Sequence, residues 1–502
     1  MTTQLTADER QFFRLLKETA LANPFSDTRR ELDMRVAADR FPDLKKYSID
    51  KTVQSVSSRL KALSDSGRFR VDAFASEDRV LVEFGYLFEF FYLFRKQFDH
   101  LIKKQALAED RVLKVLFTAE LISYLSQRGF SDEGIQRGIE GAYQFRRAFY
   151  FIGRSLIGRS TAMKKLRLAL WNTIFTHNVD LYRRYLWNRM EDFSTLILGE
   201  TGTGKGAAAA AIGRSAFIPF DMRRHRFVES FTRSFVSINL SQFPETLIES
   251  ELFGHKKGAF TGAVDNYRGV LERCSPHGAI LLDEIGEITL PVQIKLLQVL
   301  QERVFYPVGS HIKERFHGRV IAATNRSIDQ LRKDGIFRDD FYYRLCSDTI
   351  VVPPLRQRIA ETPRELTDLV GFLVTRTVGR PSPELEQMVL HVIAHQLGPD
   401  YPWNGNVREL EQCVRSVIIK NAYTGDSPVL DTDLETLLTT AIARGSMPAQ
   451  QLLAGYCKLL YDRHGTFEAV ARHTCLDRRT VTKYIKEWSP ERGPSVPDPE
   501  TP

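Results

Sequence analysis

Thr195-Leu196-Ile197-Leu198-Gly199-Glu200-Thr201-Gly202-Thr203-Gly204-Lys205 joins a short apolar run to a glycine-rich turn, and Gly206-Ala207-Ala208-Ala209-Ala210-Ala211 follows. An apolar strand, a turn that needs glycine and an alanine-rich helix, in that order, make one βα unit. The spacing Gly199-x-x-x-x-Gly204-Lys205 predicts a phosphate loop. Its glycines let backbone N–H groups converge on phosphate oxygens, the helix N-terminus adds a favourable dipole, and Lys205 supplies a positive charge. The binding residues expected here are Gly199, Glu200, Thr201, Gly202, Thr203, Gly204, Lys205 and Gly206. Gly206 departs from the Ser or Thr usual at that place; it offers no side chain to help hold magnesium and weakens the helix start.

Working outward, four more short apolar runs follow: Phe235–Ile238, Ala279–Leu282, Val320–Ala323 and Thr349–Val352. Helical patterns lie between them, so a parallel sheet with crossover helices is expected over 151–353. The last run stops at Pro353-Pro354, and 354–425 reads as a helical lid. The run Ile280-Leu281-Leu282 delivers Asp283 and Glu284 to its C-terminal end, where ligands of open α/β sheets gather. Asp283 is placed to hold Mg2+, directly or through water, and Glu284 to polarise an attacking water.

The bulk of the chain sets limits. Its 502 residues exceed one ordinary core, so two to four domains are expected. Hydrophobic content of 43% and charged content of 26% belong to a globular protein. A net charge of +8 permits nucleic-acid binding without establishing it. Five scattered cysteines form no metal-binding or disulfide pattern, which favours a reducing cytoplasm. No signal peptide is evident, and Phe84–Phe94, interrupted by Glu89, is too short to span a membrane and reads as a buried core helix.

Residues 1–150 read as a helical domain without a motif that names its signal, and without the strand alternation of a phosphoacceptor receiver. The motifs after Phe151 look self-contained, so nucleotide binding is expected to survive removal of 1–150. Turn-rich segments predict a linker over 426–449, a small helical domain over 450–488 and a disordered tail over 489–502.

Between the phosphate loop and the Asp283-Glu284 strand lies Gly258-Ala259-Phe260-Thr261-Gly262-Ala263. With its arms Glu249–His255 and Tyr267-Arg268-Gly269, this order resembles the AAA+ activators of sigma-54 RNA polymerase, whose GAFTGA loop touches the sigma factor. The resemblance covers roughly 152–488 and implies the roles of further residues. Asn325 would read the γ-phosphate and Asn239 would restrain the catalytic glutamate. Arg338 and Arg344 would reach into a neighbouring subunit's site, and Arg408 would contact nucleotide from the lid. It further implies ATP and Mg2+ as cofactors, a homo-oligomer in a hexameric ring, and Phe260 as the exposed contact on sigma-54 polymerase.

Residues 466–487 read as two helices around a tight turn, with Asp477 capping the second. Arg478, Arg479, Thr480, Thr482 and Lys483 suit phosphate and base-edge contacts on double-stranded DNA. The unit resembles a Fis-type helix-turn-helix, with Cys475 where the turn usually has Gly. The expected protein is multidomain: a helical N-terminal domain, an α/β AAA+ core with helical lid, and an all-α DNA-binding end. Its expected function is ATP-driven activation of sigma-54 polymerase from upstream DNA, in the cytoplasm and with no membrane partner. Two alternatives stand beside it: a AAA+ remodeller of another protein, and a nucleotide-binding DNA regulator with little ATPase activity.

Overall fold

Five short parallel strands form the centre of the protein in the computed structural model, which describes residues 3–425, 434–445 and 447–488. They are β1 (Thr195–Leu198), β2 (Phe235–Asn239), β3 (Ala279–Asp283), β4 (Arg319–Thr324) and β5 (Asp348–Val351), in the spatial order β2-β3-β4-β1-β5. All four pairings are parallel, and the register sets Asn239 beside Asp283 and Ala279 beside Arg319. The runs of β3, β4 and β1 are apolar because both faces are covered, whereas the edge strands β2 and β5 are largely half-buried or exposed. In β4 every residue is buried. Successive side chains point to opposite faces, so Val320 and Ala322 join one core while Ile321 and Ala323 join the other.

The core holding Val320 is filled by the helices Glu245–Phe253 and Leu290–Glu302, which contribute Leu252, Phe253, Leu296 and Val299. The core holding Ile321 receives the phosphate-loop helix Lys205–Gly213 through Ala208, Ala209, Ala211 and Ile212. Small side chains bring that helix close to the sheet. A Cβ at Gly213 would strike the Phe235 ring, so glycine is required there.

This second core does not stop at residue 150. It runs on through Phe151, Ala148 and Tyr143 to Phe98 and Phe90. The helix Asp132–Ser155 passes unbroken through the expected boundary and lies against the phosphate-loop helix. Tyr143 stacks on Phe227 with ring centroids 3.9 Å apart. Arg147 is fully buried; its Nη1 donates to Arg214 O at 2.8 Å and its Nη2 to Ala216 O at 2.7 Å. Those carbonyls lie just beyond the phosphate-loop helix, where a cation is favoured. Burial pushes the Arg147 pKa down to about 10, which leaves it charged at neutral pH. The expected division at 150 is therefore corrected. One compact unit runs from the start of the chain to Ala422, because the first helices cover one face of the sheet's core.

Ahead of that helix come Ala7–Leu21, Asp27–Ala38, Ile49–Asp65, Ser76–Leu93, Arg95–Leu107 and Thr118–Gln127. Phe84–Phe94 falls largely in Ser76–Leu93, with Tyr86, Phe88 and Phe90 buried, as a core helix requires. Among the described residues no helix is long and apolar enough to cross a membrane. Beyond β5, the helices Leu355–Glu361, Arg364–Val378, Pro383–Val392 and Asn406–Lys420 occupy the stretch expected as a lid.

The second unit begins at Tyr423. Its described part holds the helices Leu434–Arg444, Ala449–His464, Phe467–Thr474 and Arg478–Glu487. Residues 434–444 of the expected linker are thus helical, and Leu438 lies where a Cβ on Gly455 would strike it. The rest of that linker up to 433, and the tail 489–502, lie outside the described residues.

Candidate nucleotide site and contact loop

Gly202 and Gly204 both take positive φ, +77° and +106°, which bends the chain after β1 into a cradle facing the start of the next helix. A side chain at Gly202 would collide with the Gly405 carbonyl of the lid. Lys205 is 7% exposed, and its Nζ donates to Gly199 O at 2.9 Å and Glu200 O at 3.3 Å. Glu284 Oε1 lies 4.0 Å from the same Nζ. A buried ammonium held mainly by backbone carbonyls, in a loop of converging N–H groups, fits a phosphate.

Asp283 ends β3, and its Oδ1 accepts from Glu284 N at 3.1 Å. Glu284 sits at φ +56°, an uncommon backbone for a residue with a side chain. Its Oε2 accepts from Asn325 N at 3.3 Å, while Asn325 Nδ2 donates to Thr201 Oγ1 at 2.9 Å. Lys205, Glu284, Asn325 and Thr201 therefore share one polar cluster at the C-terminal ends of the strands.

Other expected residues are spent differently. Asn239 Oδ1 accepts from Ser241 N at 3.0 Å and Ser241 Oγ at 2.8 Å. Among the described residues no hydrogen bond joins it to Glu284, so its expected restraint is absent from this conformation. Arg338 pairs with Asp340 at 2.6 Å, and Arg344 Nε donates to Leu300 O at 3.1 Å. Both are exposed, and among the described residues neither is hydrogen-bonded or ion-paired to the phosphate loop. Arg408 is exposed beside the loop: a Cβ on Gly202 would lie 3.0 Å from the Arg408 Cβ.

Sequence reasoning missed the tie between loop and lid. Arg356 Nη1 donates to Glu200 Oε2 at 2.7 Å, and that hydrogen bond holds the Glu200 carboxyl below its usual range. Asn406, fully buried at φ +54°, donates to Thr201 O at 3.0 Å and Glu200 Oε2 at 3.2 Å, and accepts from Leu355 N at 2.7 Å. Val407 N donates to Gly202 O at 3.0 Å. The one signal was an Asn directly ahead of Val407-Arg408, a residue type that tolerates left-handed backbone.

The segment 258–263 is a tight loop at positive φ for Gly258 (+80°) and Gly262 (+101°), closed by Gly258 N donating to Ala263 O at 2.8 Å. Ala263 is buried, Thr261 is exposed, and Phe260 is 40% exposed with its ring against His255. The stem is fastened on two sides. His255 and Tyr267 exchange backbone hydrogen bonds of 3.0 and 2.9 Å, and Lys256 N donates to Val308 O at 3.0 Å. Tyr267 Oη also donates to Glu251 at 2.7 Å. The tip is thus presented by a rigid base.

Residues 177–351 match the sigma-54 interaction domain. The centre of this chain is a sigma-54 interaction domain. The Nif-specific regulatory protein of Azotobacter vinelandii is 38% identical over 58% of this chain and 48% of its own length. Regulatory protein AtoC of Escherichia coli (strain K12) is 36% identical over 50% and 51%. The DNA-binding transcriptional regulator NtrC of Azospirillum brasilense is 36% identical over 52% and 47%. The chain thus spans about half the length of the curated relatives it matches. A solved structure, NtrX from Brucella abortus with ADP, aligns over 74% of this chain and 80% of its own at 20% identity and TM-score 0.40.

In the second unit, Cys457, Leu460, Val470 and Val481 pack three helices together. Cys475 makes the turn at φ +55°, the left-handed position where glycine costs less. Asp477 accepts from Arg479 N and Thr480 N, both at 2.9 Å, and so starts the last helix. Arg478, Arg479 and Lys483 are exposed along it; Thr480 and Thr482 are half-buried. Thr482 donates to Arg478 O, and Arg478 pairs with Glu468 at 2.9 Å.

Proposed function

We propose that this protein is an ATP-dependent transcription activator. It binds upstream DNA through its C-terminal helices, assembles into a hexameric ring, and drives the 258–263 loop against sigma-54 polymerase to open the promoter complex. The observation that carries this reading is the exposed Phe260-Thr261 tip on a fastened stem, in the same domain as the cluster of Lys205, Glu284 and Asn325.

ATP with Mg2+ supplies a phosphoanhydride bond whose hydrolysis releases the energy for movement. Lys205 and the N–H groups of 202–205 would hold the phosphate oxygens. Asp283 would hold the metal, and Glu284 would orient and deprotonate the attacking water. Asn325 bonds Thr201 through its side chain and Glu284 through its backbone, so a shift at the phosphates reaches the base through one residue. Arg338 and Arg344, exposed and unused by their own site, would serve the neighbouring subunit. Arg478, Arg479, Thr480, Thr482 and Lys483 would meet the DNA. In vitro promoter opening by the full chain with sigma-54 polymerase and ATP tests the proposal; no opening would refute it.

Gly206 favours a second reading, a nucleotide-binding DNA regulator with little hydrolysis. A Cβ there would meet open space, so packing does not demand glycine. Equal, near-background ATPase rates for the wild type and Glu284→Gln would support that reading instead.

A further inference from the structure

Arg319 opens β4 at the end of the sheet remote from the phosphate loop, and it is 7% exposed. Its Nε donates to Phe193 O at 2.8 Å and its Nη2 to Thr195 Oγ1 at 3.1 Å. Neither acceptor is charged. Among the described residues no carboxylate lies within ion-pair distance, and Nη1 has no protein acceptor. Burial pushes the Arg319 pKa down to about 10, although Asp348, itself bonded by Thr173, opposes that shift from beyond ion-pair distance. A buried guanidinium so weakly countered is costly unless something else compensates it.

Arg319 lines a cavity of about 580 Å³, a size suited to a small organic ligand. His277 and His317 line the same end, each two residues ahead of the paired residues Ala279 and Arg319. Opposite chemistry comes from Trp187 and Phe217, whose rings meet edge to face at 4.7 Å, and from Ile174. The carboxyl groups at the cavity are mostly engaged. Glu133 pairs with Arg137 at 2.7 Å, and Glu140 accepts from Phe220 N and Gln136 Nε2, both at 2.9 Å. Burial also raises the Glu140 pKa, towards the neutral acid. Glu191 is left as the one lining carboxyl without such a partner among the described residues.

We propose that this cavity binds a small aromatic carboxylate, with the carboxylate on Arg319 and the histidines and the ring against Trp187 and Phe217. The occupant would touch both sides of a junction. Gln136 and Gln144 belong to the helix Asp132–Ser155, while Ile212 and Ala216 lie at the far end of the phosphate-loop helix. Gln144 Nε2 already donates to Ser215 O at 3.0 Å. A ligand there would change how the N-terminal helices grip the helix that begins at Lys205. Binding itself stands apart from the sigma-54 reading; only its effect on hydrolysis rests on that reading.

The test titrates the full chain with benzoate, phenylacetate and indole-3-acetate. Benzyl alcohol serves as the uncharged control and inorganic phosphate as the ring-free anion. Affinity is measured by calorimetry, and Trp187→Phe locates the site by removing the fluorescence response. At least one carboxylate is expected to bind saturably, about tenfold or more tighter than either control. Arg319→Lys and the half-exposed His277→Ala should each weaken that binding; if the first variant does not fold, the second decides. No saturable binding by any of the three, controls binding equally well, or undiminished affinity in His277→Ala and in any folded Arg319→Lys would overturn the proposal. Binding with an unchanged fluorescence response in Trp187→Phe would overturn it equally.

Discussion

The two ends of the five-stranded sheet are built in different ways. At the C-terminal ends, 199–205 and 283–284 are contiguous stretches in which residue type alone points to chemistry. At the other end, the helix Asp132–Ser155 meets carbonyls of 214–216 across some 67 to 71 positions. No local pattern marks that meeting. The phosphate-loop end is written in short motifs because each polar group there must sit beside a particular backbone turn. The packing end needs only shapes and hydrogen bonds that agree after folding.

The largest test of that contrast removes residues 1–150. The truncation takes away Tyr143, Gln144 and Arg147 and bares an apolar face of the core. It should lose soluble, folded protein and nucleotide binding together. A well-folded truncation that binds ATP like the full chain would restore the boundary that the sequence suggested.

Next in size is Glu284→Gln. Hydrolysis should fall by about 10²–10⁴, with nucleotide affinity kept, if Glu284 is the base. Steady-state phosphate release and nucleotide titration check both halves. An unaltered rate in a wild type that hydrolyses well would move the base elsewhere.

Arg147→Ala probes the packing end. It leaves Arg214 O and Ala216 O without their donor, at a cost of about 2–4 kcal/mol. A lowered urea midpoint is the expected outcome, and an unchanged midpoint would show that the grip is not tight. The smallest effect belongs to Gly206→Ala, which should stabilise by about 0.5–1 kcal/mol because the helix gains propensity and the Cβ meets open space. Destabilisation would reveal a constraint on that position.

Legibility followed the same division. The five apolar runs form the sheet, and the central three are apolar because a buried parallel strand is covered on both faces. The Asp283-Glu284 strand end and Lys205 do meet, because the phosphate loop and β3 lie on the same edge of that sheet. The boundary at 150 was misplaced because an amphipathic helix does not reveal which core it faces. The helix Leu434–Arg444 was hidden behind turn residues on either side. The tie of Glu200 to Arg356 and Asn406 joins residues about 156 and 206 positions apart, beyond any spacing rule. Asn239 fell in the expected strand, yet its side chain caps the next turn instead of reaching Glu284.

In the proposed function, ATP hydrolysis acts through the 258–263 loop on sigma-54 polymerase. Promoter opening by the wild type beside Thr261→Ala, with ATPase measured on the same samples, decides it. Thr261 is exposed at the tip and remote from Lys205 in sequence, so the wild type should open the promoter and the variant should not, with similar ATPase rates for both. Opening by both proteins alike, or by neither, would contradict it.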